Sequence, residues 1–173
     1  MLKRLFKNKL KCERNECVCY NPNRRVKLRV KYLADITPIS KFSMGDWVDL
    51  RTAKEVQLKA GDYVAIPLGV AMQLPKGFEA IIASRSSTFK HYGVIQTNGI
   101  GVIDETYCGD NDEWHFPVYA TKDVVIPKDT RVCQFRILKH QPLFALIEVP
   151  LLGNKNRGGF GSTGKADFAH FQH

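Results

Sequence analysis

From Val26 the chain alternates, with Val26, Leu28, Val30 and Tyr32 apolar and Lys27, Arg29 and Lys31 charged between them. Successive side chains of a strand point to opposite faces, so this period predicts a strand with one face buried. Helical spacing is nearly absent after it. Short apolar runs follow at Tyr63 to Ile66, Val70 to Leu74, Phe78 to Ala83, Val124 to Ile126, Val132 to Leu138 and Leu143 to Val149, separated by Gly, Pro, Asp and Lys. Many short strands punctuated by turn residues predict an all-β sandwich, jelly roll or barrel.

Asn98-Gly99 lies between Val94-Ile95-Gln96-Thr97 and Ile100-Gly101-Val102-Ile103. Asn and Gly both tolerate positive φ, so the pair predicts a tight hairpin joining two strands. The ends of the chain read differently. Residues 1–25 are basic, polar and aperiodic and close on Asn21-Pro22-Asn23, the composition of a solvated arm. Gly153, Gly158, Gly159, Gly161 and Gly164 crowd the segment carrying Arg157, Phe160, Ser162 and Thr163, which predicts a stretch that orders on a ligand. The expected organisation is therefore a basic arm over 1–25, a β domain over 26–152 and a glycine-rich C-terminal arm over 153–173.

A chain of 173 residues is long enough for one hydrophobic core and too short for two comfortable ones. With 44% apolar and 25% charged residues it has no reason to stay disordered. A formal net charge of +9 favours an anionic partner: nucleic acid, an acidic membrane or a polyphosphate small molecule. Leu2, Leu5, Phe6 and Leu10 are interrupted by lysines and an arginine, so neither a signal-peptide core nor a membrane span is expected, and a cytoplasmic protein is the default. Cys12, Cys17 and Cys19 crowd the basic arm, apart from Cys108 and Cys133. An odd number of thiols fits reduced cysteines, and a structural zinc site would want a fourth ligand that is not nearby.

Two segments carry candidate chemistry. Ser84-Arg85-Ser86-Ser87 follows an apolar run and precedes Thr88-Phe89-Lys90-His91, room for about one helical turn. Were Ser86 or Ser87 to cap that turn, backbone N–H groups, hydroxyls and the Arg85 guanidinium would converge on one spot suited to phosphate. The competing explanation is a capped turn with a surface arginine. Gly101 through Gly109 places Asp104 directly after an apolar strand, where low exposure would suit it as a base, although a turn aspartate bonding its own backbone has the same pattern.

Five short motifs in order carry a family resemblance: Gly45-Asp46-Trp47-Val48-Asp49-Leu50-Arg51, Arg85-Ser86-Ser87, Asn98 through Gly109, Arg131-Val132-Cys133-Gln134, and Arg157-Gly158-Gly159-Phe160-Gly161-Ser162-Thr163-Gly164. The step from Arg85 to Asp104 matches without a gap. The chain resembles the trimeric dUTP nucleotidohydrolases from about Val26 to Gly164.

That resemblance implies a jelly-roll-like β subunit, a homotrimer with active sites shared between subunits, and hydrolysis of dUTP to dUMP and pyrophosphate, which limits uracil in DNA and supplies dUMP for dTMP synthesis. It implies that Asp104 is the general base for water attacking the α-phosphorus. Mg2+ would bridge the triphosphate, with Asp49 holding it through water. Arg85, Ser86, Ser87 and Gln134 would contact the phosphates. Asn98, Gly99 and Ile103 would form the base-reading hairpin, and Tyr107 would pack on the sugar. Arg157, Gly161, Ser162 and Thr163 would close over the γ-phosphate, with Phe160 over the base. Two departures matter: Ser84 stands where the family often has proline, and the last motif is compressed, leaving the γ-phosphate contact open between Arg157 and Lys155. Two other functions compete. One is a dCTP deaminase-like enzyme, similar in fold and sharing the Ser84–Ser87 segment. The other is a nucleotide-sensing regulatory protein whose basic arm contacts nucleic acid or a protein partner.

Overall fold

A computed structural model describes residues 26–40 and 45–158. The first unit, ending at His140, holds every strand; the second begins at Gln141. The arm expected over 1–25, and Phe160, Gly161, Ser162 and Thr163, lie outside the described residues.

The first unit is all-β with one short helix. In chain order the strands are β1 (Arg29–Tyr32), β2 (Val48–Arg51), β3 (Val56–Leu58), β4 (Tyr63–Pro67), β5 (Val70–Gln73), β6 (Phe78–Ser84), β7 (Val94–Gln96), β8 (Gly101–Ile103), β9 (His115–Ala120), β10 (Val124–Ile126) and β11 (Arg131–Lys139), with α1 (Thr88–Tyr92) between β6 and β7. They form small antiparallel sheets: β1-β5, β10-β3, β2-β11-β6-β8 and β4-β9-β7. This is the jelly-roll class expected from the alternating runs. The core is filled from several of the sheets at once: Leu50, Ile66, Met72, Ile82, Phe116, Ile126 and Val132 are buried around Trp114, whose ring meets Phe135 edge-on.

Three expectations need correction. β1 is shorter than the alternation from Val26 implies, and its inner face is only half-buried: Leu28 and Val30 pack on the core, while Val26 and Tyr32 are exposed. Leu143 to Val149 forms no strand and its apolar side chains are exposed. The arms flanking Asn98-Gly99 do not pair with each other: β7 joins β9 and β8 joins β6. Only Gly99 takes positive φ there, at 64°, so the turn is not the two-residue hairpin type; the Ile100 N–H donates to the Asn98 carbonyl at 2.6 Å instead.

Candidate active site

The sheet β2-β11-β6-β8 carries the candidate residues in two groups. The first gathers at the ends of β2 and β6 and the start of β11. Asp49 on β2 lies opposite Gln134 on β11, which lies opposite Ala83 on β6. Arg85 follows β6 directly, and its Nε donates to Asp49 Oδ1 at 2.8 Å. Arg131 Nη1 donates to Asp49 Oδ2 at 3.2 Å. The Asp49 side chain is only 15% exposed, so it is a partly buried anion held between two guanidinium groups. Gln134 Nε2 donates to the Ser84 carbonyl at 3.2 Å.

A local irregularity makes this cluster possible. Strict alternation would put Arg131 on the same face as Cys133, which is fully buried. The register shift between these two residues inserts one extra position, so Val132 and Cys133 both stay in the core while Arg131 turns toward Asp49. Burial pushes the Cys133 thiol up, keeping it protonated and inert.

Arg85, Ser86 and Ser87 lead into α1, as the sequence predicted. The cap is different: Ser87 occupies the N-cap position without a side-chain capping bond. The turn is fixed instead by Thr88, whose N–H donates to the Arg85 carbonyl at 3.0 Å and whose buried hydroxyl donates to the Val132 carbonyl at 2.7 Å. That second bond ties the serine segment to β11. Ser86 is exposed and Ser87 half-exposed.

The second group lines a cleft of about 500 Å³ beside β8. Asn98, Ile103, Asp104 and Tyr107 all line it, together with Ile82 and Gly101. Tyr63, His115 and Pro117, from β4 and β9, line it as well. The Tyr107 hydroxyl donates to the Glu113 carbonyl at 3.1 Å, which fixes its ring at the rim, and His115 Nδ1 meets the same carbonyl at 2.8 Å. Asp104 is exposed in the single chain, contrary to the low exposure expected of it. Its Oδ1 accepts the Thr106 N–H at 2.8 Å, the turn bond weighed above. Hydrogen bonds from the Thr106 hydroxyl and N–H hold its carboxyl below the usual carboxylate range, with His140 adding to the effect, so it is ionised at neutral pH.

The two groups stand apart within one chain. Ile103 pairs with Ala80, whereas Arg85 follows Ser84, at the far end of β6. Asp104 and Arg85 therefore leave the sheet in opposite directions, separated by at least the four-residue span from Ala80 to Ser84, about 13 Å. The second unit carries Lys155 and Arg157, both exposed.

Sequence inspection quoted Arg131 in the fourth motif without giving it a role, and missed Glu113 and His115 at the cleft and Gln96 behind it. Gln96 had a visible signal, since it is polar at a position that alternation from Val94 turns inward.

Among the described residues no three or more His, Cys, Asp or Glu side chains gather into a metal cluster. Asp49 already meets a guanidinium at each oxygen. This donor set fits a magnesium ion brought by a polyphosphate and met through water, and does not fit one caged by the protein.

An all-β jelly roll with a cleft carrying an amide, a tyrosine and a carboxylate, and a separate cluster of two arginines around one aspartate, has the layout of a nucleotide-binding β protein. A sequence model of the dUTPase family matches residues 33–164. The chain belongs to the dUTPase family. It is 55% identical over 140 residues to the SPβ prophage-derived deoxyuridine 5′-triphosphate nucleotidohydrolase of Bacillus subtilis, covering 80% of this chain and 99% of that protein. It is 36% identical over 120 residues to the deoxyuridine 5′-triphosphate nucleotidohydrolase of Rickettsia prowazekii, covering 68% and 80%. Among solved structures, the Staphylococcus bacteriophage 80alpha dUTPase with dUpNHpp superposes with a TM-score of 0.63 at 19% identity, covering 80% of this chain and 98% of that one. A phage phi11 dUTPase of S. aureus with a structural Mg(II) ion superposes with a TM-score of 0.60 at 16% identity, covering 73% and 99%.

Proposed function

We propose that this chain hydrolyses dUTP to dUMP and pyrophosphate by attack of an Asp104-activated water on the α-phosphorus. The observation that carries this reading is a cleft lined by Asn98, Ile103, Asp104 and Tyr107 together, with Asp104 ionised. A deoxyuridine would lie there with its base against Asn98 and the backbone around Gly99 and Ile103, its sugar against Tyr107 and its first phosphate toward Asp104. Asp104 takes the proton as water oxygen bonds to the α-phosphorus, and the bond to the bridging oxygen breaks to release pyrophosphate. No covalent enzyme intermediate is required.

Arg85, Ser86, Ser87 and Gln134 bind the phosphate chain, with Arg131 and Asp49 holding Arg85 in place. Asp49 would hold Mg2+ through water, and the ion, when bound, would supply neutralisation of the triphosphate charge. Arg157 or Lys155, with Gly161, Ser162 and Thr163, contacts the γ-phosphate, and Phe160 covers the base.

The separation of Asp104 from Ser86 supports a site built between subunits. Water activated by Asp104 must lie about 3–3.5 Å from the phosphorus it attacks, and the short Ser86 side chain cannot reach the same phosphate chain from the other end of its own sheet. A homotrimer in which one subunit supplies the cleft and a neighbour the arginine cluster satisfies both requirements. The exposed apolar side chains of Leu143, Phe144, Leu146 and Ile147 fit burial against another subunit. Family membership does not favour the deaminase. No described helix is long and apolar enough to cross a membrane, and a cytoplasmic location remains part of the proposal.

Incubating the purified protein separately with dUTP and dCTP tests the reading. Pyrophosphate released from dUTP supports it; ammonia released from dCTP, with dUTP untouched, overturns it.

A further inference from the structure

Gln96 is buried yet does not line the cleft, and its side chain is fully engaged. Its Nε2 donates to the Ile82 carbonyl at 3.1 Å and to Asn98 Oδ1 at 3.0 Å. Its Oε1 faces the Ser84 hydroxyl at 3.5 Å, a long contact from the residue at which this chain departs from the family's frequent proline. The Ser84 carbonyl in turn accepts from Gln134 Nε2. A chain of polar contacts therefore runs from the phosphate cluster to the base-facing amide.

The direction of that chain is set by chemistry. A backbone carbonyl only accepts, so the end of the Gln96 amide facing Ile82 must be its NH2. The second hydrogen of that NH2 points at Asn98, which must answer with oxygen, because two NH2 groups face to face would leave buried donors unmatched. Asn98 is thereby left with its own NH2 directed to the cleft. The pair lies against the strand at Gly101: a Cβ there would lie 3.6 Å from Asn98 Nδ2 and 3.8 Å from Gln96 Nε2, within ordinary contact of both amides.

We propose that Gln96 is a positioning residue for base selection: it fixes the Asn98 amide with its donor toward the base, braced by Ser84, so that the site favours a pyrimidine carrying a carbonyl oxygen over one carrying an amino group. The inference rests on the proposed uracil site. Uracil presents an acceptor where cytosine presents a donor, so an amide locked donor-outward matches the first and opposes the second.

The test compares kcat/KM for dUTP and dCTP in the full-length protein. Gln96→Met keeps the length of the side chain and removes both ends of the anchor. Gln96→Glu places an acceptor beside Asn98, so that its amide turns and shows oxygen to the base. In both variants the preference for dUTP over dCTP falls by about tenfold or more, carried by KM for dUTP with kcat nearly kept, and the fall is larger for Gln96→Glu. Neither substitution adds to the loss in an Asn98→Ala background, since Gln96 acts through Asn98. A folded Gln96→Met protein with an unchanged preference overturns the inference, as does an equal loss in both backgrounds. An unaltered protein that fails to hydrolyse dUTP sinks the uracil site and the inference together, whereas unaltered activity with insensitive Gln96 variants sinks the inference alone.

Discussion

Asp104 follows β8 and Arg85 follows β6, neighbouring strands of one sheet, and the two leave it at opposite ends, with the Ala80 to Ser84 stretch of β6 between them. Each is the natural centre of half a site. Asp104 lines the cleft proposed for a nucleoside, whereas Arg85 lies beside a second guanidinium, Arg131, joined to it through the Asp49 carboxylate, with Gln134 nearby. In the proposed reaction, which needs both halves within a few ångströms, they would meet across a subunit boundary.

Asp104→Asn removes the base without removing a phosphate contact. Turnover of dUTP should drop at least about 10²- to 10⁴-fold, with the dissociation constant measured by calorimetry nearly unchanged. Parallel losses of binding and turnover would assign Asp104 to substrate holding instead.

Thr106 lowers the Asp104 pKa chiefly through its hydroxyl, then through its N–H. The base works ionised, so kcat/KM should fall as pH drops through that lowered pKa. Thr106→Val deletes the hydroxyl bond and keeps the N–H, which raises the pKa and moves the acid limb of the profile to higher pH. An acid limb that stays in place after this substitution would mean that Asp104 is not the group titrating.

Asp49 holds Arg85 and Arg131 together from a position only 15% exposed. Asp49→Ala removes the carboxylate that both guanidinium groups share. Loss of such charge-assisted bonds costs about 1.5–3 kcal/mol, which predicts roughly a 10- to 150-fold fall in kcat/KM for dUTP. Titration with magnesium separates the roles: the variant should also require more Mg2+ for half-maximal rate.

Asp129 carries a left-handed backbone, φ 62°, and receives the Thr37 hydroxyl at 2.5 Å and its N–H at 2.8 Å. Those bonds, the hydroxyl first, lower its pKa, with Arg51 and Lys128 adding to them. A lowered carboxylate pKa stabilises the fold above the unfolded value, about 4, and that contribution disappears as pH falls through the folded value. Asn tolerates the same backbone. Thermal melts of the natural protein and Asp129→Asn should therefore differ most near pH 7 and converge toward pH 3.

Strands marked by short apolar runs were legible in advance: β4, β5, β6, β10 and β11 fall on them. β9 was hidden by Pro117, which in a single sequence argues against a strand paired on both sides, although here β4 and β7 flank it. The hairpin expected at Asn98-Gly99 dissolved because turn residues say where the chain reverses and not which strands then pair. The same limit applies to the site. Asp49, Arg85, Asn98, Asp104, Tyr107 and Gln134 sit in recognisable motifs, and the fold divides them between one cluster and one cleft. The inward polarity of Gln96 and the motif position of Arg131 are visible in the sequence, but the Ile82 carbonyl that Gln96 meets and the bulge that turns Arg131 toward Asp49 come from strand pairing.

Subunit complementation tests the central claim most directly. Asp104→Asn and Arg85→Gln chains, each inactive alone, are coexpressed with different tags, and oligomers containing both are isolated by two affinity steps. A site shared between subunits pairs an intact Asp104 from one chain with an intact Arg85 from the other, so the mixed oligomers should regain a substantial fraction of dUTP hydrolysis. Mixed oligomers as inactive as either parent would show that both residues must come from the same chain, and would contradict the account.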